Sequence, residues 1–250
     1  MKRLTRGPAP EPLGDAASDA ALRREWYADL RNELGLIRPR WNRTIGGEQP
    51  IRKAVNDLSA GECTWCGDLV AGPSMQVDHY LPKERFPRLA YCWAVLFPSC
   101  GPCNLRKSEY APAGLARDSL YDPVLHPQFP SERPYTPESV LDSRAERLVE
   151  PSFDDPADHL RFHPELAAYE CLTPAGNETE KRFFNQRTDA ERLVKLQAHV
   201  RHTVKTSTSQ QVLDHDLAGL IELIGRSFYV EAFAACWLEL DPPDWTKPEP

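Results

Sequence analysis

Two Cys-x-x-Cys pairs, Cys63 with Cys66 in "CTWC" and Cys100 with Cys103 in "CGPC", are separated by 33 residues. Four thiolates presented on two tight turns match the tetrahedral ligand set of zinc, and a closed set of four sulfurs keeps no position open for water. Such an ion is a structural staple, not a reactive centre. The spacer is longer than that of a simple ribbon and is expected to carry a unit of its own. Within it, "QVDHYLPKERF" sets Asp78 directly against His79, and "CNLRK" overlaps the second cysteine pair. Asp78 and Asn104 offer hard oxygen donors of the kind that Mg²⁺ accepts, with water and phosphate completing the shell. His79 beside them is free to take a proton from water. Arg106 and Lys107 are expected on the first turn of a helix, where the N-terminal dipole also favours phosphate. Although 25 residues separate His79 from Asn104, zinc joins the two ends of the spacer and brings these groups together.

A lone Asp-His pair is more simply a strand terminus with a solvated acid and a surface histidine. The bracketing cysteines and Asn104 turn the balance towards function. Other candidates carry less. His159 and His163 in "DHLRFH" are four apart and could share a helix face, but no further ligand is apparent, so they read as structural. His199, His202 and His215 read as surface residues. An odd total of seven cysteines points to metal binding with three spare thiols, Cys92, Cys171 and Cys236, that serve as buried apolar residues.

These groups need elements to hold them. "CTWCGDLVAGPSMQVDH" reads as a knuckle, a strand, a turn at Gly72-Pro73 and a second strand ending at His79. A proline-punctuated loop follows, then the second knuckle and a helix, so the expected order is strand, strand, loop, helix. Upstream, "SDAALRREWYADLRNELGLI" places Leu22, Trp26, Leu30 and Leu34 at four-residue steps, an amphipathic helix. A short helix starts at Pro50, a favoured first-turn position. Residues 111–156 are rich in loop, with one helix candidate in "PESVLDSRAERLV". Beyond them, "TDAERLVKLQAHVRHTV" opens with a capping box of Thr188 and Glu191 and lines Leu193, Leu196, Val200 and Val204 along one face. Two further helices carry Leu217, Leu220, Ile221, Ile224, Phe233 and Trp237 as expected core. The sequence therefore divides into an N-terminal helical segment (1–60), a zinc-stapled module (61–110) and a loop-rich then helical region (111–250). The fold class is α+β.

A chain of 250 residues that is 41% hydrophobic and 27% charged is long enough to bury a substantial core. It has no apolar run long enough to cross a bilayer and no signal-peptide core at its start, which reads as a cytoplasmic protein with no membrane partner. The net charge of −7 argues against a polyanionic partner only in the aggregate. Residues 1–60 hold 11 Lys+Arg against 8 Asp+Glu, residues 61–110 hold 5 against 5, and residues 111–250 hold 14 against 24. A bound polyanion should therefore touch the first 110 residues.

The run "CTWC…VDHYLPK…YCW…LFPSCGPCNLRKS", about 48 residues, resembles an HNH endonuclease of the ββα-metal class in its zinc-stapled form. The resemblance implies that Asp78 and Asn104 ligate a catalytic Mg²⁺ or similar ion and that His79 is the general base. Lys83 and Arg106 or Lys107 would then position the phosphate backbone. It implies hydrolysis of phosphodiester bonds in DNA, with RNA as the alternative. A narrower similarity, in "DHYLPK", "AYCW", "SCGPCN", "DPADHLRF" and "NQRTDAERL", is to the HNH subunits of bacterial anti-phage systems of the Septu and retron-linked kind. There the nuclease works beside an SMC- or ABC-like ATPase, and the acidic region 111–250 would suit such a partner. Val95 stands where the family's middle asparagine usually lies, a departure that bears on loop geometry more than on chemistry. The competing reading is a catalytically weak or inactive zinc-stapled nucleic-acid-binding or regulatory subunit.

Overall fold

The computed structural model describes residues 1–10, 13, 41, 44, 47–70, 72–117, 119–122, 133–136, 138 and 146–245. The expected helix carrying Leu22 to Leu34, and most of the helix candidate at 137–149, lie outside them. Helix α1 runs Pro50–Asp57 with proline at its start, and Ile51 and Val55, four apart, bury the same face. The first knuckle follows. Cys63 N–H donates to Asp68 O at 2.7 Å and Gly67 N–H to Cys63 O at 2.9 Å, a turn closed by Gly67 at φ +73°. That left-handed backbone suits glycine.

The strand expected between this knuckle and Gly72 does not form. The segment folds back on itself through a single bridge, Glu62 to Leu69. Strand β1, Gln76–His79, instead pairs antiparallel with β2, Leu96–Ser99, so that Asp78 lies opposite Phe97 and His79 opposite Leu96. All four residues of β2 are buried, which gives β1 an apolar partner that the glycine-bounded segment 67–72 could not supply. The actual order is strand, loop, strand, helix. Helix α2, Gly101–Lys107, follows at once, capped by Cys100, whose Sγ accepts from Cys103 N–H at 3.4 Å.

Downstream, the two-residue strands β3 (Leu120–Tyr121) and β4 (Arg133–Pro134) pair in parallel. The one-turn helix α3 (Pro156–His159) leads into a hairpin of β5 (Leu160–His163) and β6 (Ala168–Cys171). Four helices complete the chain: α4 (Pro174–Phe183), α5 (Arg187–Thr206), α6 (Gln210–Ile224) and α7 (Ser227–Leu240). Seven helices and three small sheets among the described residues make the fold α+β. None of these helices is long and apolar enough to cross a membrane.

Two apolar cores organise the chain. The first gathers residues from both knuckles, β1, β2 and α1 with Leu4, Leu148, Val149, Ala175 and Phe183. At its centre Trp65 stacks on Phe183 at 4.6 Å between ring centroids and 10° between planes. The second core lies among α5, α6 and α7, where Leu193, Leu196, Val200 and Val204 form the expected buried stripe, joined by Leu220 and Phe233. The expected capping box is absent. Helix α5 begins two residues earlier than a Thr188 cap would place it, after Gln186 and with no side-chain cap, so Thr188 is already inside its first turn. Glu191 pairs with Arg187 at 2.9 Å instead. The knuckle is bolted to the second core by Asp68, which accepts from Arg192 at 3.1 Å and from Arg226 Nε at 2.5 Å.

Candidate metal-dependent active site

One ligand atom from each of Cys63, Cys66, Cys100 and Cys103 lies within 4.8 Å of the others, and the Sγ atoms of Cys66 and Cys100 are 3.8 Å apart. A tetrahedron of sulfurs about 2.3 Å from zinc has edges of about 3.8 Å, so this donor set fits a zinc ion. Cys63 and Cys103 are fully buried, which keeps them from competing ligands. Their two turns tie the segment before β1 to the start of α2. Consequently β1 and α2 share one cavity of about 560 Å³ lined by Gln76, Asp78, His79, Lys83, Asn104 and Lys107 among others.

Each of the three central side chains is held by a separate partner. Asp78 is 3% exposed. Its Oδ2 accepts from Trp65 Nε1–H at 2.9 Å, and its Oδ1 faces Lys107 Nζ at 3.1 Å. Burial pushes its carboxyl pKa up, and Lys107 and Trp65 oppose that push. His79 Nε2–H donates to Ala90 O at 2.9 Å, and the ring lies 5.5 Å from that of Trp41. Burial lowers the imidazole pKa from 6.5 to about 4, so His79 is neutral near pH 7. The bond from Nε2 leaves Nδ1 as the basic nitrogen. Asn104 Nδ2–H donates to Gln76 Oε1 at 2.7 Å, which turns its carbonyl oxygen free of that bond. Asp78 and His79 do not pair with each other, although adjacent in sequence.

The two basic residues after Asn104 lie elsewhere than expected. Because α2 starts at Gly101, Arg106 and Lys107 occupy its last turn, not its first. Lys107 is 1% exposed, a buried counter-charge to Asp78. Arg106 is turned away from the cavity and pairs with Asp189 on α5, with a longer contact to Thr188 Oγ1 at 3.5 Å. Lys83 lines the cavity and pairs with Glu84 beside it. His159 and His163 share no helix face, since α3 ends at His159 and β5 runs to His163. His159 Nδ1 meets Thr173 Oγ1 at 2.7 Å, and His163 meets Glu170 at 3.0 Å. His199, His202 and His215 are exposed. Of the spare thiols, Cys92 is buried, whereas Cys171 and Cys236 are only half-buried.

Sequence reasoning missed Trp65, Gln76 and the Ala90 carbonyl, the three groups that aim Asp78, Asn104 and His79. Gln76 was findable, because residues two apart in a strand share a face with one another. Trp65 and Ala90 were not, since nothing local indicates their direction. Lys107→Met leaves a buried carboxylate without its charge partner, and loss of one member of such a pair costs about 3–5 kcal/mol. Without added divalent ion, the urea unfolding midpoint of Lys107→Met should fall accordingly. The double variant with Asp78→Asn should lose less than the sum of the single effects. Strict additivity would mean that the two groups do not interact.

No family model matches the chain. It is 31% identical over 86 residues to the Septu protein PtuB of Bacillus thuringiensis, covering 34% of this chain and 31% of that protein. It is 37% identical over 60 residues to protein ea31 of Escherichia phage lambda, covering 23% of this chain and 20% of that protein. The chain thus spans about a third and a fifth of the two relatives' lengths. No solved structure matches it.

Proposed function

We propose that the cavity between β1 and α2 is the active site of an HNH-type endonuclease that hydrolyses phosphodiester bonds of DNA. The observation that carries this reading is a buried, neutral imidazole, tied through Nε2 and basic at Nδ1, in one cavity with the oxygens of Asp78 and Asn104. His79 Nδ1 takes the proton of a water as it attacks the scissile phosphate in line. The Ala90 carbonyl holds the ring in the productive tautomer and disperses the charge that forms on it. Trp65 and Lys107 orient Asp78, Gln76 orients Asn104, and Lys83 at the cavity edge holds the backbone phosphate by charge without reading sequence. A divalent ion held by Asp78 and Asn104 would supply the Lewis acid that takes up charge on the phosphate and the leaving oxygen. The oxygen donors are of the right chemistry for Mg²⁺, and the Lys107 ammonium must yield part of its hold on Asp78 to such an ion.

The likeness to a Septu protein supports a place in anti-phage defence, where the chain would be the nuclease effector. An SMC- or ABC-like ATPase is the partner this reading implies, met by the acidic surface of residues 111–250 and not by the cavity. A second reading has its own observation: both oxygens of Asp78 are already engaged, by Trp65 and Lys107. On that reading the protein is a zinc-stapled nucleic-acid-binding or regulatory subunit without cleavage.

Plasmid nicking by the purified full-length chain, with and without its ATPase partner, separates the two. The nuclease reading expects cutting that requires added Mg²⁺ or Mn²⁺ and is absent in Asp78→Asn with zinc content unchanged. Equal cutting by Asp78→Asn would overturn the site assigned here, and no cutting under any of these conditions leaves the second reading in possession.

A further inference from the structure

The loop between β1 and β2 carries two backbone groups that seat the end of the histidine strand. The Ala90 carbonyl accepts from His79 Nε2–H, and the Val95 carbonyl accepts from Tyr80 N–H at 2.7 Å. Between them the chain makes tight turns, with Cys92 N–H donating to Leu89 O at 3.0 Å and Val95 N–H to Cys92 O at 3.1 Å. Nothing in these turns is a regular element long enough to hold its own shape. The loop is gripped from outside. Arg6 Nη1 donates to Trp93 O at 2.8 Å and Arg6 Nη2 to Leu96 O at 3.0 Å, the two carbonyls that flank Ala94 and Val95.

The guanidinium is itself anchored on every side. Its Nε donates to Ser152 Oγ at 2.9 Å, Glu150 lies 3.8 Å from Nη2, and the plane sits 4.2 Å over the ring of Phe97. Glu150 is almost fully buried and Arg6 is 14% exposed, so this is a desolvated pair and not a surface contact. Trp93 completes the clamp by donating from Nε1 to Gly7 O at 3.1 Å. A lysine could supply the charge but not the planar fork that bridges two carbonyls.

We propose that Arg6 is a positioning residue for His79, holding the loop so that the Ala90 carbonyl fixes the ring through Nε2 and leaves Nδ1 aimed into the cavity. This deepens the reading of His79 as the general base and rests on it for the catalytic consequence. The grip crosses 87 residues of sequence, so it couples the first ten residues of the chain to the geometry of the site. A misplacement of about 1 Å at such a base lowers rate about 100-fold.

The test uses the full-length protein and the Arg6→Ala and Arg6→Lys variants, the second guarding against a failure of the first to fold. Solvent exchange of the His79 Nε2–H proton, read by NMR, should quicken about tenfold or more in Arg6→Ala as a constraint worth at least ~1.4 kcal/mol is lost. The amide of Leu213, in α6 on the second core and bonded to Ser209 O at 3.0 Å, should exchange as in the wild type. The kcat for cleavage should fall about 100-fold with KM within about twofold, and Arg6→Lys should lie between. Unchanged exchange at His79 in both variants, equal acceleration at Leu213, or an unaltered kcat beside altered exchange would each overturn the proposal. If the wild type cuts nothing, the nuclease reading falls by itself, and the His79 proton alone decides whether Arg6 positions the ring.

Discussion

His79→Ala should retain its zinc and its two cores and lose at least ~10² to 10⁴-fold in the rate of phosphodiester cleavage, the range that a positioned general base contributes. The effect belongs in kcat, because the imidazole is buried at the end of β1 and bonds a backbone carbonyl rather than substrate. Removing the ring opens a void beside Trp41 and frees the Ala90 carbonyl, so some stability is lost as well. His79→Asn, which keeps a polar side chain in the space, is the companion that separates the two effects. Both variants should nick plasmid DNA at the same residual rate while differing in melting temperature. Near-normal turnover by either one would remove His79 from the chemistry.

Stripping the metal from the four cysteines should have the largest effect on the fold. A structural zinc of this type contributes about 10–16 kcal/mol of apparent binding energy, coupled to folding. That is as large as the whole stability of an ordinary domain, about 5–15 kcal/mol. The loss falls on the first core, since the cysteine turns are what tie Trp65, β1 and α2 together. Helices α5, α6 and α7 pack on the second core, which contains no cysteine ligand, and should keep much of their structure. Chelation, or Cys103→Ser, should therefore abolish the near-ultraviolet signal of Trp65 and cooperative melting of the first core, while far-ultraviolet helicity falls only in part. Atomic absorption should find one zinc per chain before treatment and none after. An unchanged melt in the stripped protein would mean that the thiols carry no structural metal.

Much of this site was written in local pattern. The cysteine spacing, the Asp78-His79 pair at a strand end, Asn104 after the second knuckle and the apolar stripe of α5 all depend on periodicities of a few residues, and such patterns survive without knowledge of distant contacts. The end of β1 at His79 and the start of α1 at Pro50 were legible for the same reason. The strand partner of β1 was not, because pairing is chosen by which segment can bury its face, and Leu96–Ser99 competes from across the loop.

The amino-acid sequence by itself determined the four-cysteine set that fits zinc, the carboxyl, imidazole and amide groups that line one cavity, and the helical character of the C-terminal third. Only the tertiary structure decided that Lys107 neutralises Asp78 instead of meeting phosphate, that Arg106 turns to Asp189, and that Arg6 clamps the loop behind His79. A charged side chain's role is set by the acceptor, carboxylate or carbonyl, that folding leaves within reach, and those partners lie 29, 83 and 87 residues away. No local periodicity spans such distances.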